Sequence, residues 1–190
     1  MKIIKVLFLL VVCNMATPLF SETPTPAISA IEKNTSRHSF EAGEYTLEWV
    51  SAPSAASPKG RTGKGTFIVE NTEYGQTLHD NTIWHIDGTE KGSGTVRDIE
   101  GIILSDIMGN THMFTYKKDG GGFYGKIEKQ IDGTLLIKGE GLYRSLGGCK
   151  IQMETIVTPT NNGYTSLNYF YNSKTKQWTP LRTLCLKKVS

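Results

Sequence analysis

The chain has 190 residues, of which 38% are hydrophobic, and a formal net charge of +3. This length suits one domain with a substantial core. The small net charge gives no electrostatic reason to expect a nucleic acid, so none is expected as a partner.

The first 21 residues are typical of a cleavable secretory signal peptide. Lys2 and Lys5 form a short basic region, and residues 6–12 form an apolar run that is too short to span a bilayer as a helix. A polar segment that contains proline follows, which favours cleavage over anchoring. We therefore expect a periplasmic or secreted protein with no membrane span after cleavage. Loss of the two lysines would leave a formal charge of +1.

Residues 22–42 are rich in proline, serine and threonine and are predicted to form a flexible N-terminal arm. From residue 43 to 190 apolar and polar residues alternate with a period of two, and glycine-containing turns interrupt the alternation. The spacing predicts about nine or ten short strands, and a closed barrel is favoured because it leaves no exposed edge. The predicted fold class is therefore all-β: a single antiparallel β-barrel of about 8–10 strands, with no substantial helix apart from the signal peptide.

The alternation assigns residues to faces in several predicted strands. In residues 134–143, one face carries Leu135, Ile137, Gly139, Gly141 and Tyr143. In residues 150–157, one face carries Ile151, Met153, Thr155 and Val157. The glycines of the first segment are predicted to bend the strand at a barrel corner.

Neither a cofactor nor a metal ion is expected. Residues 59–66 (KGRTGKGT) lack the spacing of a phosphate-binding loop, and a strand rather than a helix is predicted to follow them. His79 and His85 would share one face of a strand, but two histidines at this spacing are a weak metal motif. Surface or hydrogen-bonded histidines are the expected alternative.

Aromatic residues suggest where a ligand binds. His112, Phe114 and Tyr116 share one face of a predicted strand, and a titratable group among aromatic rings suits ligand binding or acid–base chemistry inside a barrel. The predicted ligand-binding residues are His112, Phe114, Tyr116, Tyr124 and Tyr143. Asp106 and Glu140 are the carboxylates to test beside them. The alternative is that these aromatic residues only fill the core. No catalytic residue is predicted, because no arrangement of nucleophile and base is found.

Two cysteines remain after the signal peptide, Cys149 and Cys185. In an oxidising compartment an isolated pair is expected to form a disulfide. The alternative is two buried thiols that never meet.

Two segments, SDIMGNTHMFTY and GEGLYRSLGG, resemble a pattern in small secreted proteins with an allene-oxide-cyclase-like or dirigent-like barrel. The pattern is an Asp-x-x-Gly turn before a strand and, about thirty residues later, a Gly-x-Gly-x-Tyr element closed by another glycine. The matching residues are Asp106, Gly109, Gly139, Gly141, Tyr143 and Gly147. Glu140 departs from the threonine expected between the glycines. The resemblance covers residues 94–157 and implies an eight-stranded barrel with an apolar cavity.

A weaker resemblance is to lipocalins. Gly43 and Tyr45 stand where those proteins carry Gly-x-Trp on the first strand, and Arg182 lies on a late strand. Tyrosine in place of tryptophan and the lack of a C-terminal helix depart from the lipocalin pattern. This resemblance also implies a barrel with a cavity.

Three functions are compatible with such a barrel. The first is binding of a small apolar or aromatic ligand in the interior. The second is a cyclase or isomerase that uses the cavity by orientation and acid–base catalysis. The third is an envelope or secreted interaction protein with a filled core that uses its outer surface.

Overall fold

A computed structural model describes residues 39–53, 59–86, 95–118, 120–143 and 150–189. The predicted signal peptide lies outside these residues. The ten strands are β1 (Gly43–Ser51), β2 (Arg61–Asn71), β3 (Gly75–Ile86), β4 (Thr95–Ser105), β5 (Thr111–Lys117), β6 (Gly121–Lys129), β7 (Leu135–Tyr143), β8 (Lys150–Thr160), β9 (Gly163–Asn172) and β10 (Gln177–Lys188). In the part of the chain described, no helix is long and apolar enough to cross a membrane.

The strands form one closed antiparallel barrel in which each strand pairs with its neighbours in sequence. The ring closes where β1 pairs with β10, with Tyr45 opposite Lys188 and Ser51 opposite Arg182. The predicted all-β barrel class is confirmed. Closure satisfies the backbone hydrogen bonds of every strand and leaves no free edge for another chain to pair with.

The two ends of the barrel differ. At the end where β1 begins, which we call the floor, four short connections join the strands: residues 72–74, 106–110, 130–134 and 161–162. Gly109 and Gly133 adopt φ values of 80° and 83° in two of these turns, a backbone conformation that glycine adopts without strain. At the opposite end, which we call the rim, the longer connections lie partly outside the described residues.

Strand register decides which side chains face the interior. Tyr45 and Leu47 of β1 and Val69 of β2 are at most 1% exposed and lie on the inner face. The faces predicted for β7 and β8 are the inner ones, since Ile137 is opposite Thr155 and Leu135 opposite Val157.

Glycines on the inner face make room for neighbouring backbone and large side chains. A Cβ added at Gly63 would lie 2.2 Å from the indole nitrogen of Trp49, so the ring packs directly over this glycine. A Cβ at Gly139 would lie 1.9 Å from the carbonyl oxygen of Tyr124 on β6. Gly139 lies within the continuous strand β7, where it permits close contact with β6, and the barrel corner predicted at these glycines stays a prediction.

The segment before β1 covers the floor. The Phe40 side chain is 6% exposed, and its ring packs edge-on against Tyr164 at 5.4 Å and against Phe67 at 6.2 Å between ring centroids. Gln76, on the inner face of β3, accepts hydrogen bonds from the backbone N–H groups of Ser39 and Phe40 at 2.9 and 3.0 Å. Phe40 thus closes the interior from below.

Candidate functional site

The interior of the barrel holds a cavity of about 150 Å³. Its wall includes inward-facing side chains of every strand, and Phe40 lies at its floor. An engineered apolar cavity of this volume accommodates benzene. The space therefore suits a small organic molecule.

The half of the cavity nearer the floor is apolar. Leu47, Leu78, Val157 and Leu186 are all at least 93% buried and line it together with Phe40. A ligand group placed here exchanges water for aliphatic and aromatic contact, which contributes roughly 25 cal/mol per Å² of apolar surface buried.

A charged network lies nearer the rim on the β3–β4 wall. Asp80 is 7% exposed, and its Oδ2 lies 3.3 Å from Nη2 of Arg97. Thr82, which is opposite Arg97 in register, donates a hydrogen bond from its hydroxyl group to Oδ1 of Asp80. Both oxygens of this buried carboxylate are therefore occupied, and its charge is balanced by the guanidinium.

A second polar network lies on the β8–β10 wall. The Asn168 amide nitrogen donates to Thr155 Oγ1 at 2.9 Å and to Ser166 Oγ at 3.2 Å, and its Oδ1 accepts a 2.6 Å hydrogen bond from Nε of Arg182. The Asn168 side chain is 5% exposed, and hydrogen bonds hold both its amide nitrogen and its amide oxygen. Its amide therefore orients the Arg182 side chain in the cavity wall, which includes both Thr155 and Arg182.

Lys117 contributes a third cation to the wall. It is the last residue of β5 and is opposite Ile99 of β4, which is in turn opposite Asp80. In a ring of ten strands β5 and β10 are five strands apart, so Lys117 and Arg182 approach the cavity from opposite walls.

The structure places four of the predicted ligand-binding residues on the outer face rather than in the interior. Phe114, Tyr116 and Tyr124 are 42%, 53% and 49% exposed, and His112 shares their face. The inner face of β5 carries Met113, Thr115 and Lys117 instead. The expectation that these side chains point inward is thus corrected, because alternation defines two faces without saying which is inner. Whether they bind a ligand stays a prediction.

The remaining predicted residue, Tyr143, ends β7 opposite Gly121. Its side chain lies outside the part of the chain that is described. Glu140 is on the outer face, 54% exposed, and pairs with Lys150 at 3.3 Å. Cys185 is half-buried on β10, while Cys149 lies outside the described residues, so the disulfide stays a prediction.

Three of the residues chosen from sequence meet on the outer surface. His112 Nε2 lies 3.2 Å from Asp106 Oδ2, and Tyr124 Oη lies 3.2 Å from His112 Nδ1. Hydrogen bonds from the side chain and backbone of Asn110, with smaller contributions from His112 and from the backbone of Met108, lower the pKa of Asp106 to about 2. The carboxylate thus organises the turn before β5 and holds the imidazole.

A second outer cluster comprises His79, Asp98 and Glu100 on β3 and β4. One nitrogen or oxygen atom from each lies within 4.8 Å of the others, a separation short enough for a shared cation. Lys118 pairs with Asp98 and lowers the pKa of that carboxyl, while Tyr116 donates to Glu100. Lys118 and Tyr116 thus contact one oxygen of each carboxylate, whereas Asp98 Oδ1, which lies 3.7 Å from His79 Nε2, is buried without a hydrogen-bond partner among the described residues.

His85 lies on the same outer face as His79. Their separation of six positions corresponds to roughly 20 Å along a strand, too far for both histidines to bind one ion.

The polar residues of the cavity were not identified from the sequence as a site. Asp80, Arg97, Lys117 and Asn168 occupy inward positions, and the nearest inward residues of their strands are both apolar, as Leu78 and Ile99 are, and polar, as Thr115 and Ser166 are. Alternation with a period of two therefore gave no signal that these residues share a cavity.

No known protein family matches the chain, and no curated protein is significantly similar to it.

Proposed function

We propose that this protein binds a small, partly apolar molecule inside the barrel. One observation carries the proposal: a closed barrel of ten strands retains a cavity of about 150 Å³ between an apolar floor and a polar upper wall. Interiors are normally packed to crystal-like density, and voids larger than a water molecule are few. Mostly apolar lining with a few fixed polar groups is typical of ligand sites.

The resemblances to allene-oxide-cyclase-like and dirigent-like barrels and to lipocalins agree with this proposal, since each implies a barrel around a cavity. We propose the protein as a secreted or periplasmic member of such a group. Its role is then to hold or carry a ligand rather than to transform it, because His112, the titratable residue favoured for acid–base chemistry, lies outside the cavity.

The test is an NMR titration with 1-hexanol and benzyl alcohol, alongside native mass spectrometry of protein purified from its own compartment. Thr115→Phe fills the cavity from the inner face of β5, whereas Thr158→Phe adds the same ring to the exposed outer face of β8. Binding is supported if the alcohols change the chemical shifts of inner-face amides in wild type and in Thr158→Phe but not in Thr115→Phe. Absence of any shift in wild type, with no co-purified small molecule, would overturn it.

One observation favours a second candidate function, the interaction protein. Exposed Ile102, Phe114 and Tyr124 are in register on adjacent strands, with the Phe114 and Tyr124 ring centroids 4.7 Å apart. Contiguous exposed apolar side chains mark interaction surfaces. If a second copy covers this surface, light scattering will show a dimer that Phe114→Lys dissociates. A wild-type monomer at high concentration would count against self-association.

A further inference from the structure

We propose that the ligand of the cavity is a small monoanion, a carboxylate on an aliphatic or aromatic skeleton of about six to eight carbons, and that Arg182 pairs with its carboxylate. The inference rests on the proposed function and specifies the chemistry of the bound molecule. It follows from which charges the cavity wall already balances and which it does not.

The lining is unequal in charge. Three cationic side chains, Arg97, Lys117 and Arg182, face the cavity, whereas Asp80 supplies the one carboxylate among the described lining residues. That carboxylate already accepts contacts from Arg97 and Thr82. Among the described lining residues, Asp80 thus has its counter-charge in Arg97, whereas Arg182 contacts the neutral amide of Asn168, so an anion is favoured beside Arg182 and an amine is repelled.

Arg182 is the cation best arranged to receive the anion. Its Nε–H donates to Asn168 Oδ1, a neutral oxygen, and no carboxylate of the described residues lies within ion-pair distance of the guanidinium. A guanidinium has five N–H donors in a planar fork that matches the two oxygens of a carboxylate. Because Asn168 is itself held by Thr155 and Ser166, the fork is oriented before a ligand arrives.

The position of Arg182 also fits an amphipathic molecule. Leu184 and Leu186 follow it along the inner face of β10 toward the floor, where Phe40 closes the cavity. Four residues of strand from Arg182 to Leu186 extend roughly 13 Å. A carboxylate at Arg182 would thus direct its hydrocarbon part into the apolar half of the cavity.

The test compares matched pairs by calorimetry at neutral pH and physiological salt: hexanoate with 1-hexanol, and benzoate with benzyl alcohol. Each pair has nearly the same hydrocarbon part and differs in charge. We expect the acids to bind about ten- to a hundredfold more tightly than the alcohols, since hydrogen bonds between charged groups are roughly twice as strong as neutral ones and are little screened when buried.

Three variants assign the effect to Arg182. Arg182→Met should weaken hexanoate binding by about tenfold or more and should leave the affinity for 1-hexanol within about threefold of wild type. Arg182→Lys should have an affinity for hexanoate between those of wild type and Arg182→Met. Lys126→Met removes the same charge from the outer face, where its side chain is 49% exposed, and should leave hexanoate binding unchanged. Equal losses in Lys126→Met and Arg182→Met would overturn the assignment to Arg182.

The outcomes separate the two proposals. Equal affinity of wild type for hexanoate and hexanol overturns the anion inference and leaves ligand binding standing. Failure of all four compounds to bind, with no inner-face amide shifts, overturns ligand binding itself. The comparison of acid with alcohol uses wild type alone, so it decides the matter even if Arg182→Met does not fold.

Discussion

The Gln76 side chain fastens the segment before β1 to the barrel floor, and its replacement by methionine should destabilise the fold by about 3 kcal/mol. Its Oε1 accepts from Ser39 and Phe40 backbone N–H groups, and its Nε2 donates to the Phe40 carbonyl at 2.7 Å and to Asn71 Oδ1 at 2.9 Å. Four hydrogen bonds use the whole capacity of the amide. The side chain is 1% exposed, so its loss leaves polar groups unpaired in a buried place.

Two routes lead to the same magnitude. If the segment stays in place, losing four hydrogen bonds at about 0.5–1.5 kcal/mol each costs about 2–6 kcal/mol, which burial of the methionine partly offsets. If the segment instead detaches so that water satisfies its backbone, the burial of Phe40 is lost, at about 2–3 kcal/mol. Both routes give about 3 kcal/mol, equivalent to a fall in Tm of about 6–12 °C.

The assay is urea unfolding followed by tryptophan fluorescence, with Gln152→Met as the matched control. Gln152 is exposed on the outer face of β8, opposite Glu140. The control should lie within about 0.5 kcal/mol of wild type. A Gln76→Met variant as stable as Gln152→Met would refute the view that this amide holds the floor closed.

Two further predictions concern pH. Hydrogen bonds from Asn110 hold the pKa of Asp106 at about 2, below its ordinary 3.8, so its stabilising contribution is complete above pH 4 and lost as the pH falls through about 2. Urea titrations across this range should show Asp106→Asn destabilised near neutrality and converging with wild type at acid pH; a constant difference would contradict this. Burial raises the pKa of Tyr45, whose hydroxyl donates to the Glu41 carbonyl at 2.7 Å, so its contribution is complete below the ordinary value of 10 and declines above it. Tyr45→Phe should lose stability at pH 8 but show a shallower alkaline decline than wild type, and parallel declines would exclude Tyr45 as the cause.

The number of strands and several of their faces were accessible from the sequence because they depend on local chemistry. Gly133 follows an aspartate in a tight turn, and the alternating segments form β7 and β8, in which the faces grouped from the sequence are the inner ones. In these strands the charged residues, among them Lys138, Glu140 and Glu154, all lie on the outer face, so alternation orients the strands.

The orientation of β5 was not accessible in the same way. The inner residues of β5 include a methionine, a threonine and a lysine and alternate with His112, Phe114 and Tyr116, so the alternation does not separate an apolar face from a polar one. The more aromatic face was expected to be inner, yet aromatic side chains on an outer face also stabilise a sheet through cross-strand pairs, as Phe114 and Tyr124 do. The register of the closed ring decides between the two faces, and no single strand contains that information.

The cations of the cavity depend even more on closure. Lys117 and Arg182 are 65 positions apart in sequence, and each resembles a solvent-exposed strand residue when its segment is taken alone. Only the pairing of β10 with both β9 and β1 brings Arg182 into the wall that faces β5. A sequence pattern with a period of two carries no signal for a site assembled across a barrel.

Stability alone does not account for the polarity of the interior, whereas the proposed ligand binding would. Removing an ion from water costs several kcal/mol, and replacing a buried ion pair by apolar side chains of similar volume is often neutral or stabilising by about 1–4 kcal/mol. A barrel that needed only a packed core would gain by placing leucine at the positions of Asp80, Arg97 and Arg182. Instead, Asn168 orients Arg182 toward the cavity without neutralising it, an arrangement that becomes favourable when an anion completes it.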